Sequence, residues 1–208
     1  MLIAANLEKH GHIVKIYDSA LDGWDNRELI DRKNNIVMIG QNDEKIAKVI
    51  DDFSPDVAAV SVLFSNLLES AHNIAKIIKK VKKDTTVILG GNHISSAVTD
   101  YNVSKVTKNS GLPNIINDLE NDHFDFAMTG EGEFSFLELT NKLMNKEDIS
   151  KIPGLVKRIS PKKYLINPPT RIHNLNLLPR PARHLVDMEA YFKIGAFHSA
   201  KSRSKRVL

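Results

Sequence analysis

AAVSVLFSNLLESAHNIAKIIKKVKKDTTVILGGNHISS, residues Ala58–Ser96, reads as strand, loop, helix, strand, loop. Val57–Leu63 and Thr86–Leu89 are short apolar runs rich in β-branched residues, the pattern of strands buried on both faces of a parallel sheet. Between them Leu67, Ala71, Ile74, Ile78 and Val81 recur at helical spacing, with Lys76, Lys79, Lys80, Lys82 and Lys83 on the other side. One face packs and the other is solvated. Ser65 or Asn66 is placed to cap this helix, Glu69 complements the positive end of its dipole, and the lysine-rich last turn complements the negative end. The stretch is a βαβ unit, whose crossover is right-handed by rule, and it predicts an α/β protein with a doubly wound parallel sheet.

Open α/β sheets bind ligands at the carboxyl ends of their strands. Here the first strand delivers Ser61-Val62-Leu63 to that edge and the second delivers Gly90-Gly91, with 26 residues, 64 through 89, between them. Paired glycines directly after a buried strand mark either a tight turn or a place where a ligand approaches bare backbone. The segment Asn92–Ser96 continues as a loop at the same edge.

Outward from this unit, Met1–Lys9 reads as a helix stopped by Gly11, and Ile13–Tyr17 as a strand ending at Asp18, a loop residue. Residues 19–35 are polar and irregular, Ile36–Ile39 is a short apolar piece, and Gln41-Asn42-Asp43 caps a helix from Glu44 to Phe53 that Ser54-Pro55 ends. On the other side, residues 97–123 form a long connection near the ligand edge, with a helix at Asn114–Leu119 and the length of a cover. Phe124–Met128 is the last strand of the sheet; it runs through Thr129-Gly130-Glu131-Gly132-Glu133 into a helix from Phe134 to Met144. Beyond Ile149 the pattern changes to a hairpin, Gly154–Arg158 with Lys163–Ile166 about Ser160-Pro161, then to Leu178-Pro179-Arg180-Pro181-Ala182.

Composition narrows the function. The chain of 208 residues carries a net charge of +4, but Lys201, Arg203, Lys205 and Arg206 near its end supply as many charges as the whole excess. The body is near neutral and no aromatic residue stands among those charges, which argues against nucleic acid. No apolar run is long enough for a membrane span and no signal-peptide layout opens the chain, so a cytoplasmic setting is expected. With no cysteine, this chain supplies no thiolate to zinc or to an iron–sulfur cluster. His10 and His12 flank a turn and read as solvated.

The motifs Ser61-x-Leu63, Gly90-Gly91-x-His93, Gly130-Glu131-Gly132-Glu133 and the Leu178-Pro179 connector, in this order, resemble the cobalamin-binding domain of cobalamin-dependent radical S-adenosylmethionine enzymes. The resemblance covers approximately residues 1 to 192 and implies a Rossmann-like, flavodoxin-like fold whose first strand lies before Met1. It implies a cobalamin-binding domain over 1–148 and a hairpin and connector over 149–208, leading to a radical barrel in cis. The implied cofactor-binding residues are Ser61, Leu63, Phe64, Ser65, Asn66, Gly90, Gly91, Asn92, His93, Gly130, Glu131 and Gly132. Ser61 would face the dimethylbenzimidazole base, the paired glycines would leave room for the nucleotide tail, and the Gly130–Gly132 turn would border it. His93 is read as a loop-packing residue, not a cobalt ligand, and no residue as a metal ligand. S-adenosylmethionine and a four-iron four-sulfur cluster are expected only in the barrel, so no turnover is expected from these residues alone. Methyltransferases and a cyclase are both found among such enzymes. Two other readings compete. A nucleotide-binding oxidoreductase would use Gly130-Glu131-Gly132 as the opening of its fingerprint, but the acidic residues there repel a pyrophosphate. A receiver-like interaction domain would need an acid after the central strand, where Ser61–Asn66 has none.

Overall fold

The computed structural model describes residues 1–33, 36–107 and 119–194. They fall into two compact units, one of residues 47–178 and one of residues 1–46 with the segment from Pro179 onward.

In the unit that begins at Met1, α1 (Leu2–Lys9) buries Ala4, Ala5 and Leu7. Gly11 ends it at φ +87°, its N–H donating to the Glu8 carbonyl, as the glycine there predicts. The expected strand Ile13–Tyr17 is not formed. A strand exists only through a neighbour that takes its backbone groups, and among the described residues none pairs with this segment. Val14 and Ile16 instead pack with Ala4, Ala5, Ala182 and Leu185. Asp18 is a helix cap: its Oδ1 accepts from the N–H groups of Ala20 and Leu21 at the start of α2 (Ser19–Asp22). The stretch read as irregular also contains β1 (Arg27–Asp31), which pairs antiparallel with β2 (Ile36–Ile39), Leu29 opposite Val37. The run Arg27–Asp31 has no period-2 alternation and is mostly charged, so no local pattern marks it as a strand. The next helix, α3 (Asp43–Phe53), starts where Asn42 Oδ1 accepts from the Lys45 N–H at 2.9 Å.

The larger unit is built on a five-stranded sheet in the order β3 (Val57–Ser61), β4 (Thr86–Gly90), β5 (Phe126–Met128), β6 (Leu155–Ser160), β7 (Lys163–Ile166). The first three strands are parallel, with Ser61 in register with Gly90; the last two join antiparallel. The fold is the expected α/β type, but Phe126–Met128 is not the last strand. The hairpin extends the sheet because Leu155 and Val156 are fully apolar and bury completely against Met128 and Ala127. Among the described residues no strand pairs with the outer edge of Val57–Ser61.

Among the described residues, two helices cover one face. In α4 (Leu68–Val81) Ala71, Ala75 and Ile78 are buried, and in α5 (Asn92–Thr107) Ile94, Ala97 and Val98; both sets join Val87 and Leu89 in one core. Ile88 is 1% exposed, facing the other side of the sheet. Neither Ser65 nor Asn66 caps α4. They form a 3-10 turn, Ser65–Leu67, with Leu67 exposed and no side-chain cap at the helix start. The lysines are not all solvated either. Lys79 Nζ reaches Asp125 Oδ2 at 2.7 Å and the Thr85 carbonyl at 2.8 Å, and Lys82 Nζ reaches Asp56 and the Ser54 carbonyl, tying the helix end to the amino edge of the sheet. Asn92–Ser96 is no loop but the first turn of α5, whose apolar residues Ile94, Ala97, Val98 and Tyr101 follow helical spacing. Of the connection expected over residues 97–123, residues 97–107 continue α5 and so are no loop, while residues 108–118, which hold most of the helix expected at Asn114–Leu119, lie outside those described; Leu119 is 2% exposed in the core. The last helix of this unit, α6 (Ser135–Met144), buries Phe136, Leu137 and Leu139.

The free end of the hairpin is fastened by one carboxylate. Glu120 accepts from the Tyr164 hydroxyl at 2.5 Å and from the Lys162 N–H at 2.7 Å, with Arg158 nearby. The Tyr164 hydrogen bond first, then that of Lys162, holds the Glu120 carboxyl below the usual range. A lowered folded-state pKa gives stability that is complete above the unfolded value of about 4.3 and is lost as pH falls through the folded one. Chemical denaturation from pH 7 down to pH 3 should therefore show a shallower loss of stability in Glu120→Gln than in the wild type.

Candidate cofactor site at the carboxyl edge of the sheet

Ser61 ends β3 directly beside Gly90 at the end of β4, and both stand at the carboxyl edge. The chain after each strand is then cross-linked to the other. The Val62 N–H donates to the Gly90 carbonyl at 2.8 Å, and the His93 N–H returns to the Val62 carbonyl at 3.1 Å. Val62 is buried, while Leu63 and Phe64 are each 56% exposed beside it. A buried anchor thus holds an apolar pair out at the edge.

The two glycines have different reasons. Gly91 sits at φ +98°, and a Cβ there would lie 2.5 Å from the Val62 carbonyl oxygen, so its bareness is required by the chain itself. At Gly90 a Cβ would meet no protein atom within 4 Å. Its missing side chain leaves open space, next to Ser61 and the exposed Leu63-Phe64 pair.

Asn92 and His93 open α5. Asn92 is exposed; His93 is buried, with Nδ1 2.9 Å from Ser65 Oγ. Ser65 and Asn66 lie in the exposed 3-10 turn. The third loop is stitched to the same helix, since Ser95 Oγ accepts from the Gly130 N–H at 3.3 Å. Gly130, at φ +77°, is pressed against Pro169, whose Cβ would lie 2.4 Å from a Cβ on the glycine. Glu131 Oε2 accepts from the Ile172 N–H, and Gly132 gives its carbonyl to the Phe136 N–H as α6 begins. The structure therefore brings Ser61, Leu63, Phe64, Ser65, Gly90, Gly91 and His93 into one cluster, with the Gly130–Gly132 turn joined to it through Ser95. Sequence reasoning missed Ser95 and Pro169. The helical spacing from Ile94 onward would have revealed the first; no local signal marks the second. Among the described residues no group of His, Asp and Glu is arranged to hold a metal ion.

This arrangement defines the chain as an α/β domain that presents a ligand edge. The model of the B12 binding domain family matches residues 1–106, just over half of the chain, which belongs to that family. Its cofactor is accordingly cobalamin, and the residues fit one on an observation of this structure: the space at Gly90 is open where a Cβ would fill it. Among curated proteins, the chain is similar to cytidylyl-2-hydroxyethylphosphonate methyltransferase of Streptomyces wedmorensis, 27% identical over 226 residues, covering 99% of this chain and 39% of the relative. It is also similar to an uncharacterised methyltransferase of Pyrococcus horikoshii, 28% identical over 146 residues, covering 70% of this chain and 28% of the relative. The chain thus spans well under half the length of either. Among solved structures, it resembles the radical S-adenosylmethionine methyltransferase TsrM from Kitasatospora setae with cobalamin and a 4Fe-4S cluster bound. That likeness has a TM-score of 0.52 at 18% identity and covers 83% of this chain and 26% of TsrM. The cobalamin-dependent S-adenosylmethionine radical enzyme OxsB, with aqua-cobalamin and S-adenosylmethionine bound, also has a TM-score of 0.52, at 14% identity over 76% of this chain and 20% of OxsB. These structures show the fold. No described helix is long and apolar enough to cross a membrane.

The contrast between the glycines is testable without a ligand. Gly91→Ala should destabilise the fold by ~2 kcal/mol or more, from the forced contact with the Val62 backbone and the left-handed conformation. Gly90→Ala should be neutral or stabilising by up to about 1 kcal/mol, both read from urea midpoints.

Proposed function

We propose that this chain is the cobalamin-binding portion of a radical S-adenosylmethionine enzyme of methyltransferase type, working in the cytoplasm and presenting its corrinoid to a radical barrel in cis. Residues 1–148 would carry the cofactor and residues 149–208 lead towards the barrel. The observation that carries the reading is the open space at Gly90, flanked by Ser61 and an exposed apolar pair at the carboxyl edge. The presence of a barrel is supported by the greater length of the methyltransferase relatives. The cluster and S-adenosylmethionine would belong to that barrel, since this chain has no cysteine to ligate iron.

When bound, the corrinoid supplies a cobalt that carries a methyl group. The chain's own part is to bind and orient. Ser61 would face the cofactor's base with its hydroxyl, Leu63 and Phe64 would give an apolar wall that excludes water, and Gly90 would leave its backbone bare for the nucleotide tail. Gly91 and His93 hold the loop after β3 against the start of α5. Asn66 and Asn92 line the rim, and the Gly130–Gly132 turn borders the tail.

The test is titration of the protein with hydroxocobalamin or methylcobalamin, followed in the visible corrin bands. The wild type should bind. Gly90→Val should weaken binding by ~2 kcal/mol or more through overpacking, and Ser61→Ala by about 1 kcal/mol, the net worth of a hydrogen bond. Undiminished affinity in a folded Gly90→Val protein would rule the site out. The chain alone should consume no S-adenosylmethionine, and consumption would overturn the assignment of that chemistry to a separate barrel.

A further inference from the structure

A buried imidazole stays in a folded protein only with hydrogen-bond partners, because an apolar residue would fill the same space without desolvating two nitrogens. His93 is 7% exposed, and it sits in the first turn of α5 next to Ile94, which fills its own place in the core as a plain hydrocarbon. Its Nδ1 is 2.9 Å from Ser65 Oγ, in a turn 28 residues earlier in the chain. Which of the two donates depends on the imidazole tautomer.

Residues 63–67 leave the sheet after Ser61, and the backbone hydrogen bonds that shape them are local, from the Leu67 N–H to the Phe64 carbonyl at 3.0 Å and from the Leu68 N–H to the Ser65 carbonyl. Yet the turn carries three exposed apolar side chains, Leu63, Phe64 and Leu67, the last 45% exposed. A mobile apolar loop would lose conformational freedom on meeting a ligand and so bind it more weakly; a loop ordered beforehand avoids that cost.

We infer that His93 is a positioning residue which, through Ser65, holds the Leu63–Leu67 turn in the shape that receives the corrinoid. The inference rests on the cobalamin reading above. His93 acts on the cofactor only through the turn, and it does not ligate cobalt.

The experiment uses the whole chain in four variants: Ser65→Ala, His93→Ala, the double variant, and His93→Asn, whose side-chain amide reaches the position of Nδ1. Amide hydrogen exchange across residues 63–67 is measured without cobalamin, and hydroxocobalamin affinity and the bound spectrum are measured alongside. Ser65→Ala and His93→Ala should each speed exchange at the Leu67 amide and weaken binding about five-fold, the equivalent of about 1 kcal/mol. The double variant should be no weaker than His93→Ala, His93→Asn should restore both readouts, and the bound spectrum should be the same throughout. Additive losses, unchanged exchange, unchanged affinity, or a spectral shift on His93→Ala of the kind an imidazole ligand gives would each overturn the inference. Ser65 is exposed, so its variant folds even if His93→Ala does not. If the wild type takes up no cobalamin, the functional reading fails and the inference with it. Coupled exchange effects at residues 63–67 would then show that the clamp exists and that the reading was at fault.

Discussion

The close approach of Gly91 to Val62 is the constraint on which the ligand edge depends. The glycine lies where a Cβ would be 2.5 Å from the Val62 carbonyl oxygen, in a conformation at φ +98° that only glycine adopts without strain. Because the chain can turn there, β4 passes straight into α5, and the first turn of that helix reaches back to both neighbouring loops. The His93 N–H meets Val62, its ring meets Ser65, and Ser95 meets Gly130. Any side chain at position 91 would push these apart together.

The two ends of the sheet are organised by different chemistry. At the amino edge, long side chains close ion pairs and carbonyl contacts, Lys79 with Asp125 and Lys82 with Asp56, and the hairpin end is fastened by Glu120 on Tyr164. At the carboxyl edge, the fastening is done by backbone groups, small hydroxyls and the His93 ring, with Glu131 taking the Ile172 N–H.

The hairpin β6–β7 does more than lengthen the sheet. The segment that follows it, Asn167 to Ile172, is anchored at both ends: Asn167 Nδ2 donates to the Ser150 and Ile152 carbonyls, and the Ile172 N–H donates to Glu131. In between, Pro169 lies on Gly130. The bareness of Gly130 is therefore used by the chain, like that of Gly91, and the turn after β5 is held in shape by residues nearly forty positions later.

The sequence by itself determined the βαβ unit, the placing of Ser61 and Gly90 at the carboxyl edge of the sheet, and the family. Those features rest on hydrophobic periods and on glycines following strands, which are local, and the motifs Ser61-x-Leu63, Gly90-Gly91 and Gly130-Glu131-Gly132 are contiguous in the chain. Local pattern failed where a partner decides. Ile13–Tyr17 has a strand's composition and, among the described residues, no neighbour to pair with, Arg27–Asp31 has a charged sequence and becomes a strand because Ile36–Ile39 pairs with it, and the hairpin joined the sheet because Leu155 and Val156 found Ala127 and Met128. The same holds within the site. That Gly90 faces open space while Gly91 faces Val62, and that His93 belongs to Ser65, could not be read from a Gly-Gly-Asn-His string. Which of two adjacent glycines faces open space, and which the backbone, depends on atoms some thirty residues away, and only the tertiary structure sets those distances.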